Sequence, residues 1–270
     1  MPNSEQILLF PHTAPAIGRR ESMTFKANRN LGRHGWLRLT PAYSRHLVEA
    51  LVGAIGPSDR VLDPFCGTGT TALTCAEKNI RCDTVDINPF LVWLARAKLA
   101  FYSPSHIDEA RDFGNHLRQP ASDRQLWRPP LKDIEKWWDP RDLEALAGLC
   151  AVIKEAKITD AARNLLFSAF CRVAIETARV SFNHQSMSFK AASAQWTLAN
   201  MGTPSNLQRL FARRLGEILE AAAIPLGSNP PTAILGDSRE LDKVVSTTYT
   251  LFGLWRYFFR ELHFSSHLRE

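Results

Sequence analysis

The chain has 270 residues, 45% hydrophobic and 22% charged, with a net charge of +6. That balance suits one globular domain, or one carrying a large insertion. The longest apolar runs fall far short of the ~20 residues of a membrane span, and residues 1–15 lack the basic-then-apolar pattern of a signal peptide.

The first charged feature is basic. Arg19, Arg20, Lys26, Arg29, Arg33, Arg38 and Arg45 stand against the single acid Glu21, a local excess as large as that of the whole chain. Phe25, Trp36 and Tyr43 interleave. Basic side chains among aromatics suit a phosphate backbone, so Arg29, Arg33 and Arg38 are candidate nucleic-acid contacts. A solvated basic face is the competing reading. A helix is expected over residues 44–55, with Leu47, Val48 and Leu51 on one face.

Residues 61–71, Val-Leu-Asp-Pro-Phe-Cys-Gly-Thr-Gly-Thr-Thr, organise the rest. Val61 and Leu62 end an apolar, strand-like run. Residues 63–69 form a tight turn, and Thr70 and Thr71 open a helix through Ala72, Leu73 and Ala76. Strand, glycine-rich turn and helix are the first unit of a nucleotide-binding α/β sheet. Gly67 and Gly69 let the backbone bend and approach a ligand. The free N–H groups of the helix point to the same place. Asp86 follows Gly69 by seventeen residues and ends a second strand-like run over residues 81–87. An acid there can accept both ribose hydroxyls of a nucleoside. Asn88 and Pro89 then open a helix over residues 90–99.

From Tyr102 to about Pro225 the strand pattern stops. Asp139-Pro140 reads as an N-cap followed by proline at the first helical position. Leu143, Leu146, Leu149, Cys150 and Ile153 recur at helical spacing. Further helices are expected over residues 160–179 and after Thr203-Pro204. Trp127, Trp137 and Trp138 read as packing residues rather than a stacking platform. Residues 179–190 are polar and aperiodic. His184 and Lys190 there could read bases, or the stretch could be a hydrogen-bonded connector. Residues 232–235 return to strand character and lead into Asp237 and Ser238.

The five cysteines, Cys66, Cys75, Cys82, Cys150 and Cys171, are odd in number and lack CxxC spacing. They read as reduced thiols in a cytoplasmic protein, with no metal site.

Asp-Pro-Phe-Cys-Gly-Thr-Gly-Thr-Thr, followed by Asp-Ile-Asn-Pro-Phe, resembles the S-adenosylmethionine site of DNA methyltransferases that modify cytosine N4 or adenine N6. The resemblance implies a Rossmann-like class I methyltransferase sheet, an α/β fold with a helical insertion. Its parts would be a basic segment and first helix (1–60), a cofactor-binding core (61–101), the insertion as a candidate DNA-contacting region (102–225), and a return strand with an atypical tail (226–270). It also implies the cofactor residues. Asp63, Pro64, Phe65, Cys66, Gly67, Thr68, Gly69 and Thr70 would hold the methionine part. Asp86 would hold the ribose, Ile87 and Pro89 would flank the adenine, Asp237 would accept from its amino group, and Asn88 and Ser238 would be further cofactor-binding residues. A strand-end Asp237 that merely caps the next helix is the alternative. Residues 33–44 look like the family's element that closes over the methionine end.

The family also uses Ser, Asp or Asn followed by Pro-Pro and an aromatic residue, after a further strand. That motif accepts both N–H bonds of the target amine and stacks on the flipped base. No such run occurs in the chain: Asn229-Pro230-Pro231 is followed by Thr232 and precedes its strand. Residues 247–259 stand where the motif belongs and show no strand alternation. The expected catalytic set is therefore empty. The chain reads as a truncated or frame-shifted enzyme, or as half of a split one whose second polypeptide docks on residues 251–259. RNA guanine-N2 methylation and a non-catalytic cofactor- or DNA-binding remnant are the rival functions.

Overall fold

A computed structural model describes residues 25–37, 42–53, 55, 59–117, 126–181, 188–189, 204–245 and 251–252. The chain divides into two units. One joins Tyr43–Leu99 to the segment from Leu226 onward. The other joins Arg29–Ala42 to Ala100–Pro225.

The first unit is a parallel sheet with helices. Its described strands are β1 (Arg60–Asp63), β2 (Arg81–Asp86), β5 (Thr232–Leu235) and β6 (Leu251–Phe252), in spatial order β5-β2-β1-β6. Val61 pairs with Cys82 on one side and Leu251 on the other, and Val85 pairs with Ile234. Parallel strands need crossovers. Helix α2 (Thr70–Glu77) connects β1 to β2, and α3 (Pro89–Leu99) follows β2. The capping Ser44 side chain accepts the Leu47 N–H at the start of α1 (Arg45–Val52), which packs on α2. The sheet core gathers Val48, Val61, Leu73, Ile80, Val92 and Ala233, all buried.

Strand β6 corrects one expectation. Residues 251–252 lie in the sheet, beside β1, although they lack alternation. A two-residue strand is too short to show alternation, so periodicity carries no signal there.

The second unit is helical. Its described helices are α4 (Pro104–Asn115), α5 (Ile134–Trp137), α6 (Pro140–Glu155), α7 (Asp160–Thr177) and α8 (Pro204–Ala222). The hairpin of β3 (Val180–Ser181) and β4 (Ser188–Phe189) belongs to it as well. Each polar cap sits where the sequence places a helix start: Asp139 accepts from Arg141 N–H, and Thr159 from Ala162 N–H. Helix α7 packs against α4, α6 and α8, burying Leu165, Leu166, Val173, Phe211 and Ile218. Arg172 and Arg214 bridge α7 and α8 through Glu176 and Glu217. Trp138 donates to the Ala174 carbonyl at 2.9 Å. Trp127 departs from the packing expectation: it is 64% exposed, with the Lys154 amine 5.5 Å from its ring.

Residues 29–42 group with this helical unit, not with the first helix as the sequence suggests. Arg33 is the reason. It is buried, and its guanidinium donates to the carbonyls of Ala100, Ala221, Ala222 and Ile224. It therefore closes the C-terminal end of α8, where carbonyls lack intrahelical partners. Its carbon Cζ lies 5.3 Å from the Tyr102 ring and 5.9 Å from the Trp36 ring.

Candidate functional site

The first unit changes direction at β1. The chain runs outward through β2 to β5 and returns on the other side of β1 as β6. Ligands of open parallel sheets bind outside the carboxyl ends of the strands at such a reversal. The glycine-rich turn leaves β1 at that end.

Asp63 closes β1 and is 1% exposed. One carboxylate oxygen accepts the Phe65 N–H at 3.1 Å, and the other accepts the Tyr43 hydroxyl at 3.0 Å. The Tyr43 oxygen also lies 2.6 Å from the Thr71 hydroxyl. Burial pushes the Asp63 carboxyl above its ordinary range, against the hydrogen bonds that favour the charged form. Burial and the neighbouring Asp63 charge also push the Tyr43 phenol well up, which keeps it a donor. Asp63 thus fixes the first half of the turn.

The second half is fixed from β2. Cys66 N–H donates to the Val85 carbonyl at 2.8 Å. Gly67 N–H donates to Asp86 at 2.9 Å, and the other Asp86 oxygen accepts the Asn88 N–H at 2.9 Å. Gly67 and Gly69 have φ of 51° and 76°, the left-handed region that other residues enter only at a cost. Gly69 precedes α2, and an added Cβ would lie 3.1 Å from the Ala95 Cβ. At Gly67 the nearest atom to such a Cβ is 3.9 Å away. The backbone at Gly67 is thus open, and at Gly69 it is closely packed against α3. Burial pushes the Cys66 thiol up to about 12, which removes it as a nucleophile at neutral pH.

Lys98 is a further charged group at this turn. It is 1% exposed, and its amine donates to the Thr68 carbonyl at 2.8 Å. Burial pushes it down to about 7. Thr68 and Thr70 hydroxyls lie 3.3 Å apart, and Pro64 is buried under the turn.

The outer edge is apolar and accessible. Ile87 is 68% exposed, Phe65 and Phe90 about 40%, and Leu235 about half. Asn88 caps α3 through its side-chain oxygen, which accepts the Phe90 N–H, and Pro89 begins that helix. Gly236 N–H donates to the Asp86 carbonyl at 3.0 Å, which ties the end of β5 to the end of β2. Asp237 and Ser238 follow there. Asp237 accepts the Arg239 N–H, and its carboxylate pairs with the Arg239 guanidinium. That pairing pulls it down to about 2. Asp237 therefore caps the short 3-10 helix Ser238–Glu240, and it follows the carboxyl end of β5 as Asp86 ends the neighbouring β2.

The expected cofactor residues thus lie at the carboxyl ends of three neighbouring parallel strands, β1, β2 and β5. The expected nucleic-acid residues do not behave alike. Arg29 is exposed, whereas Arg33 is withdrawn from solvent by its four carbonyl partners, which corrects its assignment as a phosphate contact. Arg45 is paired with Glu49 and Glu77. Arg38, His184 and Lys190 lie outside the described residues. Among the described residues no cluster suits a metal ion, and no helix is long and apolar enough to cross a membrane.

Two residues at the site escape sequence reasoning. Tyr43 reads as one aromatic in a basic stretch, yet it bonds the acid that ends β1. Lys98 was legible in principle: it is a lone lysine on the apolar face of α3, three residues after Ala95.

No protein-family model and no solved structure matches the chain. Over 72 residues, 26% of its length, it is 39% identical to the Type II methyltransferase M.BsoBI of Geobacillus stearothermophilus. Over 72 residues it is also 31% identical to the Type II methyltransferases M.AvaI of Nostoc sp. and of Anabaena variabilis. The matched stretch spans 14% of the first relative and 15% of the other two.

Proposed function

We propose that the chain binds S-adenosylmethionine and belongs functionally with the enzymes that methylate an exocyclic base amine in DNA, cytosine N4 placed ahead of adenine N6. The observation that carries this reading is the turn at residues 63–69, held between two carboxylates at the reversal point of a parallel sheet. Similarity to the Type II methyltransferases supports the same reading.

The residues fit the cofactor. Asp86 uses one acceptor position on each oxygen for the turn, and a carboxylate has about four, so positions remain for ribose hydroxyls. Ile87 and Pro89 offer an apolar edge for adenine, with Asp237 and Ser238 beside it. The open backbone at Gly67 and the unpaired N–H groups that begin α2 suit the methionine part. When bound, the cofactor supplies the methyl group. Asp63 orients the turn, and Tyr43 and Thr71 hold Asp63.

Base activation is a separate matter. An aromatic amine is a poor nucleophile because its lone pair is delocalised into the ring, and two acceptors on its N–H bonds counter that. No residue of the 270 is assigned that task, since the Pro-Pro-aromatic run is absent. The purified chain should therefore retain tritiated S-adenosylmethionine on a filter and transfer no label to DNA. Label in DNA would uphold the class and show that other residues activate the amine. Label in tRNA but not DNA would replace it with RNA methylation.

A further inference from the structure

Helix α3 holds the ligand turn at two points on one face. Ala95 packs against Gly69, and Lys98, three residues on, donates to the Thr68 carbonyl at 2.8 Å. A fully buried lysine is rare, because burial disfavours its charge. At this position it does not reach the outer surface of the site. Its amine meets the back of the turn, at the residue between the two left-handed glycines.

The charges around the turn explain why its N–H groups must face outward. Asp63 and Asp86 place two carboxylates against the turn, at its first and second halves. An S-adenosyl ligand carries an α-carboxylate of its own on the amino-acid end. Two acids alone would repel that carboxylate, although they attract the α-ammonium beside it. The N-terminus of α2 offsets part of that repulsion.

We infer that Lys98 is a positioning residue for the amino-acid end of the ligand: its amine holds the Thr68 carbonyl back and keeps the turn's N–H groups facing outward. The inference rests on the S-adenosylmethionine reading above. It assigns Lys98 no contact with adenine or ribose, which lie with Asp86 and Ile87 in that reading.

Two ligands separate this role from a merely structural one. S-adenosylhomocysteine carries the amino-acid end, and 5′-methylthioadenosine lacks it. For the full chain, Lys98→Met should bind S-adenosylhomocysteine at least tenfold more weakly than wild type, while binding of 5′-methylthioadenosine changes by less than threefold. Lys98→Arg, which keeps an N–H donor, should retain most of the preference for the longer ligand. Retained binding of the shorter ligand also shows that a variant is folded. If Lys98→Met loses both ligands, Lys98→Arg decides: a preserved preference supports the inference, and equal weakening of both ligands overturns it. Unchanged S-adenosylhomocysteine affinity in Lys98→Met overturns this inference and leaves the proposed function standing. Failure of the wild-type chain to bind either ligand overturns both.

Discussion

Asp86 shapes the turn, and in the proposed function the same side chain holds the ribose. Its oxygens accept the N–H groups of Gly67 and Asn88, so the acid that would hold the ribose also shapes the loop beside it. Hydrogen bonds to charged groups contribute roughly 1.5–3 kcal/mol. Asp86→Ala should therefore weaken S-adenosylhomocysteine about ten- to a hundredfold by calorimetry, and unchanged affinity would remove Asp86 from the site. Lys98 gives the protein a characteristic response to pH. Its folded pKa is about 7 against an ordinary 10.5, so the unfolded chain holds the extra proton between those values. Stability should rise with pH across that window, and the gain is absent below it. Denaturation midpoints of Lys98→Met should lack this part of the rise. Arg33 gives the opposite lesson about composition. By charge it resembles Arg29, yet only Arg29 faces solvent. Truncating Arg33 strands the carbonyls at the end of α8, and Arg33→Ala should cost about 3 kcal/mol in urea unfolding. Arg29→Ala should cost almost nothing.

Among the elements, β1, the turn and α2 were legible because their interactions are local. Acid, glycines and helix start fall within a dozen residues, and the second acid follows directly on β2. Gly69 shows how tightly that unit is built. Its φ of 76° and the 3.1 Å approach to Ala95 both oppose a side chain. Left-handed backbone alone costs about 1–2 kcal/mol for other residues. Gly69→Ala should lower stability more than Gly67→Ala, where the added methyl meets open space. Equal losses in urea melts would show that the crowding against α3 is relieved cheaply. Other features were illegible because their partners are remote. Arg33 meets Ala221 from 188 residues away, and sequence spacing cannot tell a guanidinium that clamps carbonyls from one that faces phosphate. Leu251 and Phe252 are identifiable as a strand only beside Val61 and Leu62. The cap of α6 was readable, since a capping side chain bonds its own helix.

For the whole molecule, the net charge of +6 favours a polyanion, but the described structure already engages two cations of the basic stretch. Arg33 is buried and Arg45 is paired with acids. Removing one cation that neutralises a phosphate should flatten the salt dependence of DNA binding by about 0.9 in log–log slope. Arg29→Ala should do so on every sequence alike, with no change in base preference, by filter binding across a salt series. Every functional role proposed for this protein depends on the site at the end of the parallel sheet. Its most direct test is a calorimetric titration of the 270-residue chain with S-adenosylhomocysteine, with NAD as the control nucleotide. One equivalent of S-adenosylhomocysteine should bind, and NAD should give no heat. Saturable binding of NAD, or no binding of S-adenosylhomocysteine by the folded chain, would contradict the proposed function.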